Sequence, residues 1–367
     1  MVFVMAAGGT GGHVMPALAV ARELRRSGHE AVFIGTLRGL EARLVPTAGF
    51  RIEWIRMGGW QRVGLARRMR TAGEFPLSTL RCWRLLGRLR AAAVLSLGSY
   101  VAAPVCLAAF LRGVPVVVLE PNATPGLTNR WAGRRAARVL VNFEQTAAFF
   151  DRARVDVVGV PVREEFFQVP PKVPGEWFEL LVTGGSQGSR TLNRAARESW
   201  PLFVGARTRV RMVLQTGPAE FPELALEFER SGMPGRVTPF LEDMPRAFAE
   251  ADLVVCRAGA GALAELAAAG KPAILVPFPY AADQHQLRNA EALARAGAAR
   301  LVEDRQMNGH RLFEEVCGLA ARPQELEAMA RAVRRFARPD AARRVAAALL
   351  EVAGRSGLDG ESVRTEQ

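Results

Sequence analysis

The chain is poor in cysteine and in lysine, and each shortage limits what the protein can be. Its 367 residues include four cysteines, which lie far apart at Cys82, Cys106, Cys256 and Cys317. No two of them have zinc-ligand spacing, and so few in so long a chain do not indicate a disulfide scaffold, so they fit a reducing compartment. Because lysine is so rare, arginine carries almost all of the net charge of +13.

Several targeting and metal signals are also missing. No basic residue precedes the first apolar run and no typical cleavage region follows it, so we expect no secretory signal. A charge-free window, 91–111, is long enough to cross a membrane, but serine, glycine and proline interrupt it. It predicts a strand over 93–97, a turn and a helix from about residue 103. No histidine pair and no aspartate pair has ligand spacing, so we predict no metal site.

What is present begins with a glycine-rich stretch near the start. The apolar run 2–6 leads into Gly8-Gly9-Thr10-Gly11-Gly12 and then into a helix-like run. Such a loop lets a phosphate approach backbone amides at a helix N-terminus. Histidine as a residue type titrates near neutral pH, so His13, which follows, can take a proton from a hydroxyl or help to hold a diphosphate. Glycines also serve close strand-to-helix packing in domains that bind nothing there.

The same pattern restarts in the second half. Gly184-Gly185-Ser186 follows an apolar run and stands 176 positions after Gly8. Its amides and Ser186 are candidates for a diphosphate site. The strands that follow the two loops end in Gly35-Thr36 and Gln215-Thr216, where a nicotinamide-binding fold places an acid. With 49% hydrophobic residues the chain can bury a full core, and its length predicts two α/β domains.

Much of the positive charge lies in one segment, which runs from Trp60 to Arg90. Between residues 56 and 90 there are nine arginines and one acid. In a helix, Arg81, Arg84 and Arg88 share a face, while Cys82 and three leucines at 85, 86 and 89 line another. Basic residues among large apolar ones suit an anionic lipid surface, although a solvated face over a buried one has the same pattern. No nucleic-acid-binding module accompanies the segment.

Polar residues follow three further predicted strands. Asn122 lies in a loop between two prolines, and Glu265 lies in the second turn of a helix that follows the strand 253–255. The stretch 277–290 gathers amide and imidazole groups that suit sugar hydroxyls. Ligand sites collect at the carboxyl ends of parallel strands, although Asn122 and Glu265 are also ordinary turn and helix residues.

Taken together, these segments resemble the MurG family, the peripheral-membrane N-acetylglucosaminyltransferases of peptidoglycan synthesis, which make lipid II from lipid I. The resemblance spans nearly the whole chain through Gly8–His13, Gly98–Pro104, Asn122–Arg130, Gly159–Arg163, Gly184–Asn193, Phe240–Met244, Cys256–Glu265 and Pro277–Ala290. It implies an α/β fold of GT-B architecture, with two Rossmann-like doubly wound domains facing a cleft. It also implies a role in cell wall biogenesis, cell shape and cell division.

By that resemblance, residues 1–162 with about 339–355 form the acceptor and membrane-binding domain, and 163–338 form the donor domain. Residues 356–367 are expected to be a disordered tail. The partners implied are UDP-N-acetylglucosamine, lipid I (undecaprenyl-diphospho-muramoylpentapeptide) and an anionic membrane surface at Trp60–Arg90. No cofactor and no nucleic acid are expected. The implied location is the cytoplasmic side of the bacterial inner membrane.

The resemblance also assigns roles to single residues. Leu241 contacts uracil, Glu265 the ribose hydroxyls and Ser186 the phosphates. The donor sugar meets Gln286 and the run Ala260, Gly261, Ala262, Leu263 and Ala264. Thr10, Gly11, Gly12, Asn122 and Arg163 complete the expected site. The chain departs from the family pattern at Gly261, where a larger apolar residue is common, and at His285, where glutamine occurs.

The implied reaction is an inverting transfer, in which the acceptor's 4-hydroxyl displaces UDP without a metal. His13 is the candidate base, and binding the acceptor's diphosphate is its alternative role. Three other functions remain open at this point: a GT-B glycolipid synthase with a diacylglycerol acceptor, a nicotinamide-dependent oxidoreductase, and a membrane-binding module without catalysis.

Overall fold

The structure is a computed structural model that describes residues 1–9, 11–37, 39–58, 65–173, 175–207, 209–281 and 284–362, with the side chains at 65–72, 153 and 356–362 excepted. The strands, in chain order, are β1 Val2–Ala6, β2 Glu30–Gly35, β3 Arg51–Trp54, β4 Ala91–Ser96, β5 Val116–Glu120, β6 Arg138–Val141, β7 Val155–Val157, β8 Phe178–Thr183, β9 Val210–Gln215, β10 Gly235–Thr238, β11 Leu253–Cys256, β12 Ala273–Leu275 and β13 Arg300–Leu301. The helices are α1 Gly11–Arg26, α2 Glu41–Thr47, α3 Leu65–Leu89, α4 Ser99–Arg112, α5 Leu127–Gly133, α6 Arg190–Gly205, α7 Phe221–Ser231, α8 Met244–Glu250, α9 Ala260–Ala269, α10 His285–Arg295, α11 Gly309–Ala320, α12 Pro323–Arg334 and α13 Ala341–Ser362.

These elements form two compact units. Unit 1 comprises Met1–Arg163 and Arg338–Gln367, and unit 2 comprises Glu164–Ala337. In the sequence, unit 2 therefore lies between the two segments of unit 1.

Unit 1 is built on a parallel sheet of seven strands in the order β3-β2-β1-β4-β5-β6-β7. Strand β1, at the centre of the sheet, is apolar throughout, and from Phe3 to Ala6 every one of its side chains is inaccessible to solvent. Such continuous apolar strands are typical of a parallel sheet that is covered on both faces. On one face, Val345 and Leu349 of α13 join residues of α1 in the core, and on the other face α3 and α4 cover the sheet.

Unit 2 repeats the plan with six parallel strands in the order β10-β9-β8-β11-β12-β13. Leu180, Leu214 and Val255 of this sheet share a core with Trp200 and Phe203 of α6. In both units the first strand of the unit lies inside the sheet, and the chain runs outward to one side of it and then to the other. This is the doubly wound order, whose ligands bind where the direction reverses, at the carboxyl ends of the two central strands.

Three element boundaries differ from the sequence predictions. Helix α1 already includes Gly11, and α4 begins at Ser99 rather than near residue 103. Glycine and serine are weak helix formers, so propensity alone delays the predicted start. Helix α13 continues to Ser362, so residues 356–362 of the expected disordered tail are helical, because each residue added to an existing helix gains a backbone hydrogen bond. The last five residues lie outside the described part.

The charge-free window 91–111 divides into β4 and α4, as predicted from its polar interruptions. Among the described residues, no helix combines the length and the apolar character that a membrane crossing requires.

Candidate functional site

The direction of unit 1 reverses between β1 and β4, and the first glycine-rich loop lies at that point. Gly8 and Gly9 follow β1, and Gly11, Gly12 and His13 form the first turn of α1, whose amides lack intrahelical partners. Gly12 is exposed, and His13 is half-buried. Thr10 lies outside the described residues. A helix N-terminus of this kind suits an anion, and this one carries a histidine in its first turn.

Packing also requires two of these glycines. A Cβ on Gly8 would lie 2.8 Å from Glu41 Oε1 and 2.8 Å from Val101 Cγ2, which is closer than side-chain carbons approach. Gly9 has φ of +89°, a conformation that favours glycine. Side-chain packing at Gly8 and backbone conformation at Gly9 thus account for these two glycines, while Gly11 and Gly12 stay candidates for anion binding.

A buried carboxylate organises the next loop of unit 1, which follows β5. Glu120, only 2% exposed, accepts hydrogen bonds from Asn122 N at 2.9 Å and Asn122 Nδ2 at 3.1 Å through Oε1. Its Oε2 accepts from Asn129 Nδ2 at 2.9 Å and from Gly126 N at 3.2 Å. The Asn122 side chain is thus held in place by Glu120, a residue that the sequence analysis did not single out.

Burial raises the pKa of Glu120, and the hydrogen bonds from Asn122, Asn129 and Gly126 only partly oppose it. A carboxyl whose pKa is higher in the folded state binds more protons there than in the unfolded chain. The free energy of unfolding therefore falls as pH rises from about 4.3, the ordinary value for glutamate, to the raised value.

Glutamine does not titrate, so we expect the free energy of unfolding of Glu120→Gln to lack this decrease with pH. Urea unfolding of both proteins between pH 4 and pH 7 measures it: the stability of the unsubstituted chain relative to the variant should decline with pH. A difference that stays constant across that range would contradict the assignment.

In unit 2 the direction reverses between β8 and β11, at the second glycine-rich loop. Ser186 is half-buried in this loop, and Ser189 caps α6 by accepting a hydrogen bond from Leu192 N at 3.3 Å. Gly188 has φ of +74°, and a Cβ there would lie 1.7 Å from Thr216 O. Only glycine lets the loops after β8 and β9 meet backbone to backbone. The sequence pattern predicted the loop but not this contact.

The helix after β11 carries the predicted run 260–264 and Glu265. Ala260 and Leu263 are buried, whereas Gly261, Ala262, Ala264 and Glu265 are half-buried. Burial raises the pKa of Cys256 to about 12, and the negative charge of Glu265 adds to the shift, so this carboxylate lies near the end of β11. Leu263 therefore belongs to the core, while Glu265 lies on a partly accessible side of α9.

An ion pair that the sequence analysis missed holds the loops around α9. Arg257 pairs with Asp304 and donates to Val276 O at 3.1 Å, and Asp304 also accepts from Thr191 Oγ1 at 3.1 Å. This pair connects the loop before α9 with the ends of β12 and α6. No spacing in the sequence pairs positions 257 and 304, so only the fold reveals it.

The remaining predicted residues lie in other loops. Leu241 is half-buried between β10 and α8, and Gln286 Oε1 accepts a hydrogen bond from Phe278 N at 2.9 Å. Gln286 thus fixes the loop after β12. Ser186, Leu241, Glu265 and Gln286 all follow carboxyl ends of strands of one parallel sheet, so unit 2 collects them along one edge. Arg163, half-buried, ends the first segment of unit 1.

Within the described ranges, no three histidine, cysteine, aspartate or glutamate side chains cluster in a way that can hold a metal ion.

Comparisons with known proteins agree with these features. The glycosyltransferase family 28 N-terminal domain matches residues 3–141, and the family 28 C-terminal domain matches residues 179–345. A protein of Solibacter usitatus is 56% identical over 351 residues, covering 96% of each chain, and one of Methylococcus capsulatus is 44% identical, covering 96% of this chain and 98% of its own. Both are named UDP-N-acetylglucosamine–N-acetylmuramyl-(pentapeptide) pyrophosphoryl-undecaprenol N-acetylglucosamine transferase.

Among solved structures, Acinetobacter baumannii MurG superimposes with a TM-score of 0.76 at 31% identity, covering 95% of this chain and 99% of that one. The α/β GT-B fold is thereby confirmed, as is the resemblance inferred from the sequence motifs. The chain is a glycosyltransferase and belongs to the MurG family.

Proposed function

We propose that the protein transfers N-acetylglucosamine from UDP-N-acetylglucosamine to the 4-hydroxyl of the muramoyl sugar of lipid I, giving lipid II. The observation that carries the proposal is a pair of glycine-rich loops. Each loop leads into a helix at the point where the strand order of its unit reverses, and the chain belongs to the MurG family. Two such loops suit a reaction whose donor and acceptor both carry a diphosphate.

Unit 2 is the proposed donor domain. Ser186 and the amides that begin α6 suit the UDP phosphates, and Glu265 suits the ribose hydroxyls, because a carboxylate can accept hydrogen bonds from both. Leu241 is assigned to uracil, and Gln286 with residues 260–264 to the sugar. The hydrogen bond that Gln286 Oε1 accepts from Phe278 N supports an orienting role for this amide.

Unit 1 is the proposed acceptor domain, in which Gly11 and Gly12 face the lipid-borne diphosphate and Asn122 and Arg163 complete the site. Thr10, which lies outside the described residues, is assigned to the same site. His13 takes the proton from the 4-hydroxyl as that oxygen bonds to the anomeric carbon, while the bond to UDP breaks and the configuration inverts. In the alternative role, His13 binds the acceptor's diphosphate.

The departing diphosphate gains negative charge as it leaves. Backbone amides of the loop 184–189 and the N-terminal dipole of α6 can stabilise that charge, so the proposed reaction needs no metal ion and no cofactor. A chelator should therefore leave the rate unchanged, and loss of activity on adding it would contradict this part of the proposal.

The described part of the Trp60–Arg90 segment supports docking on an anionic membrane surface. Cys82, Leu85, Leu86 and Leu89 of α3 are buried, as expected for either interpretation of the segment. Leu77 is 71% exposed, Leu80 46% and Trp83 40%, beside the exposed Arg81, Arg84 and Arg88. A purely solvated face does not require exposed leucine and tryptophan among its arginines, whereas an interfacial helix does. Residues 60–64 lie outside the described part.

Neighbouring elements extend this surface with aromatic and basic side chains. The guanidinium of Arg112 lies over the Trp83 ring, 4.3 Å from its centroid, and the ring of Trp131 packs edge-on against Phe110 at 5.7 Å. Trp131 is itself 37% exposed. We propose that this surface binds the cytoplasmic side of the bacterial inner membrane and does not bind nucleic acid.

Replacing both exposed apolar residues, Leu80→Glu with Trp83→Glu, should weaken binding to vesicles of anionic phospholipid about tenfold or more, since burial is lost and repulsion is added. Sedimentation with anionic and with neutral vesicles measures this. Leu226→Glu, on the exposed side of α7 in unit 2, is the matched control. Equal binding by all three proteins would contradict the assignment.

The decisive experiment is transfer of labelled N-acetylglucosamine from its UDP donor to a lipid I analogue, with diacylglycerol as the competing acceptor. Label should enter only the lipid I analogue. Transfer to diacylglycerol instead would overturn the acceptor assignment and leave the glycosyltransferase class intact.

A further inference from the structure

Glu41 is a completely buried carboxylate behind the glycine-rich loop of unit 1, and the reaction described above does not use it. Its side chain has no solvent exposure. Oε2 accepts a hydrogen bond from Gly9 N at 2.8 Å, and Oε1 accepts from Thr36 N at 3.0 Å and from Thr36 Oγ1 at 2.9 Å. One carboxylate therefore joins the chain after β1 to the chain after β2.

The surrounding backbone leaves room for this side chain by using glycine. A Cβ on Gly8 would lie 2.8 Å from Glu41 Oε1, one on Gly35 would lie 2.7 Å from Glu41 Cγ, and one on Gly39 would lie 1.9 Å from Glu41 Oε2. Three separate glycines thus border one carboxylate. A helix glutamate with only a structural role at the surface has no need of such an enclosure.

The connection reaches the other central strand as well. Thr36 Oγ1 lies 3.4 Å from the Tyr100 hydroxyl, and Tyr100 follows β4, the partner of β1 at the switch point. The Tyr100 ring also lies beside Gly9, 3.4 Å from where a Cβ would be. In the other direction, Leu40 N donates to Gly9 O at 3.5 Å. Gly9 is therefore held through both its amide and its carbonyl.

We propose that Glu41 is a positioning residue that holds Gly8 and Gly9, just before α1, in the form that lets the start of α1 receive the acceptor's diphosphate. This inference rests on the proposed assignment of the glycine-rich loop of unit 1 to the acceptor. Because the amide of Gly9 points inward to Glu41, the amides at the start of α1 are the ones left to face an anion. Without the carboxylate, the Gly9 amide must find another partner, and the loop loses the conformation on which the approach to α1 depends.

The test compares Glu41→Gln with two milder variants and a control. Glutamine has nearly the same shape, but its one amide oxygen cannot serve both Gly9 N and the Thr36 donors, and its NH2 group faces a donor. Thr36→Val replaces the hydroxyl with a methyl group, whereas Thr36→Ser keeps the hydroxyl. Glu23→Gln, in an exposed ion pair with Arg26 on α1, is the matched carboxylate-to-amide control.

Two quantities are measured on each full-length protein: deuterium exchange of the peptide that contains residues 8–12, and the KM values for the lipid I analogue and for UDP-N-acetylglucosamine. For Glu41→Gln we expect faster exchange in this peptide, an acceptor KM raised about tenfold and an unchanged donor KM. Thr36→Val should show smaller changes in exchange and acceptor KM in the same direction. Thr36→Ser and Glu23→Gln should both match the unsubstituted chain.

The outcomes separate this inference from the proposed function. Unchanged exchange in Glu41→Gln, or an acceptor KM that falls because a negative charge has been removed, would overturn the positioning role. Faster exchange together with an unchanged acceptor KM would instead overturn the assignment of the loop to the acceptor. If Glu41→Gln loses its structure in general, the comparison of Thr36→Val with Thr36→Ser tests the positioning role instead, because only Thr36→Ser keeps the hydroxyl that donates to Glu41.

Discussion

His13→Ala should slow the transfer of N-acetylglucosamine by a factor of about 10² to 10⁴, the usual contribution of a positioned general base. His13 lies in the first turn of α1, at the switch point of unit 1, whereas the donor is assigned to unit 2. We therefore expect the variant to bind UDP-N-acetylglucosamine as tightly as the unsubstituted chain. The loss should appear in kcat.

Steady-state kinetics with both substrates, together with titration of UDP binding, tests this expectation. His310→Ala, at an exposed position of α11, is the control that loses a histidine away from either loop. An acceptor KM that rises while kcat is retained would give His13 its alternative role as a diphosphate ligand. Weaker UDP binding in proportion to the lost rate would contradict the division of labour between the two units.

Gly188→Ala should reduce the affinity for the UDP donor about a hundredfold. A Cβ at this position would lie 1.7 Å from Thr216 O, so the loops after β8 and β9 must separate by more than an ångström. Displacements of that size in a binding loop commonly cost two orders of magnitude. The variant also bears the cost of an alanine in the left-handed conformation, about 1 to 2 kcal/mol.

Gly232→Ala separates these two effects. Gly232 has φ of +71° at the end of α7, and nothing lies within 4 Å of where its Cβ would be. It shares the backbone strain of Gly188→Ala without the collision. Thermal unfolding should show a loss of stability in both variants, larger for Gly188→Ala because of the collision, and isothermal titration with UDP should show weak binding only for Gly188→Ala. Normal UDP affinity in Gly188→Ala would show that the contact between the loops after β8 and β9 does not shape the donor site.

The sequence predicted the inner strands of both sheets, because buried parallel strands are short apolar runs. The outer strands β3, β6, β7, β10 and β13 were not predicted. The sequence also predicted both glycine-rich loops, since several glycines between an apolar run and a helix are typical of a tight strand-to-helix turn. The helix starts were placed too late: in α4, Ser99 has φ of +71°, a conformation that no propensity scale anticipates for serine. Tertiary packing decides such positions.

Buried polar residues were the main omission. Glu41, Glu120 and the pair Arg257–Asp304 each join segments that are adjacent only in the fold. In the sequence, Glu41 looks like an ordinary glutamate at the start of a helix. The nearby Gly35 and Gly39 were the available signal, because both make room for its side chain. The side chain of Leu263, a residue assigned to the sugar site, is buried in unit 2, and its assignment stays a prediction.

The return of the chain to unit 1 at Arg338 has a consequence for biosynthesis. Val345, Leu349 and Val352 of α13 complete the apolar layer that covers one face of the first sheet. Until these last residues leave the ribosome, the part of that face which α13 covers stays open to water, although unit 2 already has all of its strands. The domain that is translated first is thus the last to mature, and a chain that stops after Ala337 would expose a strip of hydrophobic surface prone to aggregation.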